Sequence, residues 1–317
     1  MTLEPGLLLA HKPRGETSSS LVRALRARAT SEGAGALALC HGGALDPFAE
    51  GLLLLLAGPV TRLMEDLHPV PKRYEAEILW GAETDTCDLH GKVVAEGTAP
   101  APGPETTGRL EAALTPFHGW HLQAPPATSN KRVDGERAWQ RAHRGEEVVL
   151  AGLPVFLHQA RWLSHDLPRA SRLSLSVRGG FYVRSLARDL GRALGARAHL
   201  GALTRTAIGP WRDPGPGREE WVRGEALLPW LPTRLLTEEE AQRVELKRPL
   251  PRGVIGAPAW PLPPGFAGPG DGPPAGLGSV LHGEPPPIRG LCEGKLRVLL
   301  RERGDHLVLR TDLGGGV

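Results

Sequence analysis

From Gly51 to Gly58 the chain reads GLLLLLAG, five leucines and an alanine between two glycines. A run this apolar has to be covered on every side, whether it forms a central strand or a segment of a buried helix, and periodicity alone does not choose between the two. It falls well short of the roughly 20 residues that cross a bilayer. Other elements must therefore pack around it, and with 40% hydrophobic residues the chain can build a sizeable core. Directly before the run stands HGGALDPFAE, which holds one carboxylate, Asp46, between a glycine-rich approach and a proline. Asp-Pro is an ordinary turn or helix-start signal. The competing reading is a carboxylate presented on a loop that the apolar run anchors.

The flanking sequence supplies candidates for the cover. GLLLA, residues 6–10, reads as a short buried strand, and HKPRG turns the chain. ETSSSLVRALRARA then reads as a helix capped by Thr17 or Ser18, with Leu21, Val22 and Leu25 toward the core and Arg23 and Arg26 outward. KRYEAEILWG alternates Tyr74, Ala76, Ile78 and Trp80 on one face, the pattern of a strand. RLSLSVRGG alternates likewise, and FYVRSLARDLGRALG spaces Leu186, Leu190 and Leu194 as an amphipathic helix stopped at Gly195. Residues 134–145 read as a short helix with Asp134 as cap, placing Arg137, Arg141 and Arg144 on one face. Between Pro249 and Gly278 the composition shifts to proline and glycine, a linker or loop-rich stretch outside any core. KLRVLLRERGDHLVLRTDL closes the chain as two strands around the Arg303–Asp305 turn. Strands and helices without strict alternation point to an α+β fold with a mixed sheet.

Charge and cysteine content narrow the function. The net charge is +3, but only six of the basic residues are lysines, and arginine forks suit phosphates and base edges. A GC-rich genome would produce the same bias. Cys40, Cys87 and Cys292 form no C-x-x-C pair, so neither a zinc site nor a disulfide framework is indicated. The first residues have too short an apolar core for a signal peptide, and a cytoplasmic protein without a membrane span is expected. Asp85 and Asp88 in TDTCDLHG fall short of a calcium loop and read as turn formers.

Four segments in order resemble the bacterial tRNA pseudouridine-55 synthases, the TruB family: residues 7–26, 41–62, 72–94 and 177–209. They carry the KPxGxTS start, the G-x-L-D-P loop, the KxY…TDTxDxxG strand and turn, and the YxRxL…LxRT segment. QAPPATSNKRVDGERAW, residues 123–139, fits an insertion between them, and the resemblance covers roughly residues 6–235. Three positions depart from the pattern. Cys40 stands where a glycine is usual, Gly42 where a threonine often follows the histidine, and PPATSNK lacks the tyrosine of the P-P-x-Y-S-A-x-K motif.

The resemblance implies a pseudouridine synthase catalytic domain over residues 1–245, with an insertion near 123–152. It also implies a small, PUA-like C-terminal β module over 246–317, after the Pro/Gly-rich stretch. It implies isomerisation of uridine in the T loop of tRNA, with the T arm as partner and no obligate protein partner; nothing in the sequence demands an oligomer, and a monomer is expected. Pseudouridine formation breaks the N1–C1′ bond, turns the base and joins C5 to C1′. Nothing is oxidised and no group is donated, so neither cofactor nor metal is expected. By the same resemblance Asp46 is the nucleophile, and Arg184 is the cation that keeps a carboxylate ionised in a water-poor pocket. Tyr74 would stack on the extruded base and move a proton, although a tyrosine on an alternating strand is ordinarily core. Tyr182 and Leu203 would wall the pocket, and His41 would fill the place of the extruded nucleotides. Lys12 and Pro13 would shape a turn without taking part in chemistry.

Two other functions are compatible with parts of the sequence. One is an RNA-binding or RNA-folding protein of the same fold without turnover. The other is a carboxylate glycoside hydrolase, which needs two paired carboxylates; Glu50 is the only nearby partner, and the apolar run begins right after it.

Overall fold

The apolar run is a strand. In the computed structural model, which describes residues 3–34, 36–133, 135–266 and 285–317, the chain divides into two compact units. The first holds the described residues of Met1–Pro71, Arg205–Asp271 and His282–Val317, the second those of Lys72–Thr204.

The first unit begins with β1 (Gly6–Lys12), α1 (Ser18–Ser31), β2 (Leu39–His41) and β3 (Glu50–Ala57). β3 lies between β1 and β2, antiparallel to both, with Lys12 opposite Gly51 and His41 opposite Leu55. Strand alternation sends successive leucines to opposite faces. Leu52, Leu54 and Leu56 join Leu7 and Leu9 on one face, while Leu53 and Leu55 meet Leu8, Leu25 and Ala29 on the other. Both faces are covered, which is why the run lacks the polar-apolar alternation of a half-exposed strand. Thr17 caps α1 by accepting the Ser20 N–H, as the Thr-Ser start suggests.

The second unit carries β4 (Lys72–Trp80), β5 (Ala82–Thr84), β6 (Val93–Glu96), α2 (Thr106–Leu114), β7 (Gly119–Gln123), β8 (Arg132–Val133) and β9 (Glu136–Arg137). It continues with α3 (Ala138–His143), β10 (Leu153–Asp166), β11 (Ala170–Val177) and α4 (Val183–Ala193). β7, β10, β11 and β4 pair antiparallel in that order, with Tyr74 opposite Leu175. α4 ends at Gly195 in the left-handed region (φ +66°), the C-terminal stop its sequence announces.

The insertion helix is shorter than its arginine spacing predicts. A two-stranded hairpin, β8–β9, occupies its expected first turn, and α3 starts only at Ala138. Asp134, the expected cap, lies outside the described residues. Arg137 therefore precedes the helix, and Arg144 follows it as its cap. The latter two arginines of the stripe are met by acids: Arg141 donates to Glu146 at 2.8 Å, and Arg144 reaches both Glu136 and Glu146.

Through β12 (Ala198–Ile208) the chain returns to the first unit, adding β13 (Trp211–Arg212), β14 (Glu219–Val222), β15 (Thr233–Leu235), α5 (Glu238–Glu245), β16 (Leu250–Pro251), β17 (Ile288–Cys292), β18 (Lys295–Arg303) and β19 (His306–Asp312). The order β15-β17-β18-β19-β16 forms a small sheet whose β15–β17 pair is parallel. β18 and β19 are the expected terminal hairpin. Leu291, Leu296, Leu299, Leu313 and Val317 share the cluster that buries Leu7, Leu9 and Leu52.

The proline-rich stretch differs from its compositional reading. Trp260 and Leu262 pack against that cluster, and Phe266 is fully buried, so its described part contributes to the core. Residues 267–284 of it lie outside the described residues. The architecture is α+β with parallel and antiparallel pairing. No helix among the described residues is long and apolar enough to cross a membrane.

Candidate active site

In the first unit the Asp46 loop is held by three side chains from sequence-distant elements. Ser18, at the start of α1, accepts the Leu45 N–H at 2.9 Å and donates its hydroxyl to the Leu45 carbonyl at 3.3 Å. Lys12, fully buried at the end of β1, donates its ammonium to the carbonyls of Pro13, Glu16 and Pro47 at 3.0, 2.7 and 3.3 Å. The Gly15 N–H also donates to the Pro47 carbonyl at 2.8 Å. Arg205, 1% exposed, spreads its guanidinium over the carbonyls of Leu52, Gly43 and Ala44 at 2.7, 3.0 and 3.4 Å. Backbone groups on both sides of Asp46 are thus fixed, and a half-buried carboxylate is presented between them.

The glycines have specific work in this arrangement. Gly51 sits at φ +104°, and a Cβ there would stand 2.4 Å from the Arg205 carbonyl oxygen, so only glycine lets β3 and the Arg205 backbone approach. At Gly42 a Cβ would meet Leu54, Leu67 and Leu56 at 3.1–3.2 Å, so a side chain there requires these leucines to give way. The neighbouring Cys40 packs against the same core, where burial pushes its thiol pKa up.

Electrostatics around the loop follow from burial. Desolvation pushes Lys12 down to about 8, although the nearby Asp46 and Glu16 carboxylates favour its charged form. His41, half-buried at the end of β2, is held below its usual pKa by burial, and Arg205 adds to this. Its Nδ1 is buried and has no hydrogen-bond partner among the described residues.

The second unit contains Tyr74, Tyr182, Arg184 and Leu203. Tyr74 is half-buried on β4, and Leu203 is buried on β12. Tyr182 is the N-cap residue of α4, and its N–H donates to Gln123 Oε1 at 2.8 Å. Arg184 follows in the first turn, 5% exposed. Its Nη1 donates to the Thr86 carbonyl at 3.0 Å and to Thr128 Oγ1 at 2.8 Å, and lies 3.5 Å from Asp88 Oδ2. The buried guanidinium therefore has a carboxylate beside it, as a buried charge requires.

Segment 123–128 collars this helix start. Gln123 takes Tyr182, the Ala124 carbonyl accepts the Ser185 hydroxyl at 2.7 Å and Arg188 Nη2 at 3.1 Å, and Thr128 takes Arg184. Asp85 and Asp88 act in the turn as expected. Asp85 Oδ1 accepts the Lys92 N–H, and Asp88 Oδ1 accepts the Thr86 hydroxyl and the His90 N–H. Asp88 has the additional place beside Arg184 that its turn pattern did not reveal.

Sequence reasoning therefore missed Ser18, Arg205, Asp88 and Thr128. Ser18 and Arg205 lie inside the KPxGxTS and LxRT motifs and could have been flagged there. Among the six expected site residues, Asp46 and His41 belong to the first unit and the other four to the second.

Residues 34–183 match the family described as TruB family pseudouridylate synthase (N terminal domain). The chain is 35% identical over 262 residues to the tRNA pseudouridine synthase B of Arthrobacter sp. (strain FB24), covering 78% of this chain and 83% of that one. It is 42% identical over 203 residues to the tRNA pseudouridine synthase B of Parasynechococcus marenigrum (strain WH8102), covering 63% of this chain and 66% of that one. Among solved structures it is similar in fold to a chain of a Cbf5-Nop10-Gar1 complex, with a TM-score of 0.64, 18% identity and coverage of 97% of this chain and 84% of that one.

Proposed function

Because this chain belongs to the TruB family of pseudouridylate synthases, we propose that it isomerises the T-loop uridine of tRNA, at position 55, with Asp46 as the nucleophile. The observation that carries the assignment is the immobilised Asp46 loop, gripped by Ser18, Lys12 and Arg205. A nucleophile gains rate when its position is set before the substrate arrives.

The chemistry divides among the chain's residues as follows. The Asp46 carboxylate traps the sugar or the base while the N1–C1′ bond is open. The base turns and C5 bonds to C1′. The proton lost from C5 and the proton gained at N1 balance, so the product is an isomer. Tyr74 stacks on the extruded base, and its hydroxyl carries a proton in this exchange. Arg184 is the permanent cation that keeps a buried anion charged. Tyr182 and Leu203 wall the base, and His41, whose pKa burial lowers, fills the space the nucleotides leave in the RNA loop. The chain acts on the T arm as a cytoplasmic monomer, and the small sheet with β17–β19 is a PUA-like module.

The test is incubation with an unmodified tRNA transcript followed by mapping of pseudouridine. Conversion at position 55 that disappears in Asp46→Asn supports the proposal. Tight tRNA binding without product would instead mark an RNA-folding protein without turnover.

A further inference from the structure

We propose that Thr128 is a positioning residue that sets the orientation of the Arg184 guanidinium through its hydroxyl. The inference rests on the reading of Arg184 as an active-site residue and deepens it. Nη1 of Arg184 donates two short hydrogen bonds, one to the Thr86 carbonyl at 3.0 Å and the other to Thr128 Oγ1 at 2.8 Å. Asp88 Oδ2 stands at 3.5 Å and the Thr128 carbonyl lies 3.5 Å from Nη2, both at the edge of hydrogen-bond reach. A carboxylate at that distance supplies charge but little direction. The Thr86 carbonyl and Thr128 Oγ1 both contribute direction at Nη1, and of these two acceptors Thr128 Oγ1 belongs to a side chain.

The position is informative. Thr128 stands in PPATSNK, where the resemblance leads one to expect a tyrosine. A tyrosine hydroxyl would lie several bonds farther from the backbone than a threonine hydroxyl, so it could not replace this contact from the same Cα. The collar around α4 explains how so short a side chain reaches its target. Gln123 and Ala124 tie the segment to Tyr182, Ser185 and Arg188, which brings the backbone of residue 128 close enough for a Cβ-attached hydroxyl to touch the guanidinium. In Thr128→Val the shape survives, but a buried N–H of a cation loses its acceptor, and hydrogen bonds to charged groups are among the stronger ones.

The experiment uses the full chain and an unmodified tRNA transcript, with single-turnover rates at saturating enzyme, filter binding and thermal melting. Thr128→Val is expected to slow the isomerisation about tenfold or more with tRNA affinity unchanged, and to lower the melting temperature modestly because the buried guanidinium loses an acceptor. Thr128→Ser, which keeps the hydroxyl, is expected to stay within about twofold of the parent chain. In an Arg184→Met background, Thr128→Val is expected to add nothing, because a residue that acts through Arg184 has no effect once Arg184 is gone. A Thr128→Val rate equal to that of the parent, an equal loss in Thr128→Ser, or a loss confined to affinity or melting would each overturn the proposal. Failure of the parent chain itself to form pseudouridine would overturn the reading of Arg184 on which it rests.

Discussion

The hydroxyl of Ser18 holds both backbone polar groups of Leu45, accepting its N–H at 2.9 Å and donating to its carbonyl at 3.3 Å. One turn of α1 thereby fixes the residue next to Asp46. Ser18→Ala leaves a buried N–H and carbonyl unpaired. It should cost about 1–3 kcal/mol of stability and slow isomerisation, because the carboxylate is no longer held in one place. Urea unfolding gives the first effect and single-turnover kinetics the second. An unchanged rate at reduced stability would make Ser18 a stabilising residue only.

Gly51 is expected to reject even the smallest side chain. Its φ of +104° and the 2.4 Å separation of a Cβ from the Arg205 carbonyl oxygen mean that Gly51→Ala must displace backbone. The expected cost is about 3 kcal/mol or more, since strain and steric overlap act together. A denaturation midpoint equal to that of the parent would contradict the close β3–Arg205 approach.

Lys12 gives the stability a pH dependence of known sign. Burial depresses its pKa in the folded chain from 10.5 to about 8. Between these values the unfolded chain holds the proton and the folded chain does not, so stability contributed by this group rises as pH increases from about 8 to 10.5. Over that window the gain amounts to at most about 3.4 kcal/mol. Lys12→Met should remove this part of the slope. Urea unfolding of both proteins across pH 7–10 measures it, and parallel pH profiles would refute the burial argument.

Tyr74→Phe keeps a ring to stack on the base and removes the hydroxyl. If that hydroxyl moves a proton, the single-turnover rate should fall about 10²–10⁴-fold while tRNA affinity is retained. An unchanged rate would leave Tyr74 as a stacking residue.

Local pattern made much of this fold readable. The alternation in KRYEAEILW and RLSLSV gave two strands, and the leucines of 186–194 with Gly195 gave α4 and its stop. The leucine run was ambiguous because burial on both faces erases the periodicity that separates strand from helix; only the pairing with Gly6–Lys12 and Leu39–His41 resolves it. The arginine stripe of the insertion is misleading because helical spacing does not hold where Arg137 lies in a strand and Arg144 in a cap. Its acidic partners Glu136 and Glu146 stand outside the stripe. Asp46 could be singled out from its glycines and proline. The grips on its loop could not, because Ser18 and Arg205 are 28 residues before and 159 residues after it in the chain and meet its neighbours only through the fold. Thr128 looked like a gap in a motif, and only the hydrogen bond to Arg184 shows what stands there.

The role of Asp46 is tested most directly by Asp46→Asn. The amide keeps the size and the half-buried setting of the carboxylate but is not a nucleophile. With a stoichiometric unmodified tRNA transcript, the account predicts no pseudouridine at position 55 above background, together with a tRNA affinity and melting temperature equal to those of the parent chain. Conversion at a rate within about tenfold of the parent would contradict it, since a lost nucleophile cannot leave covalent catalysis so nearly intact.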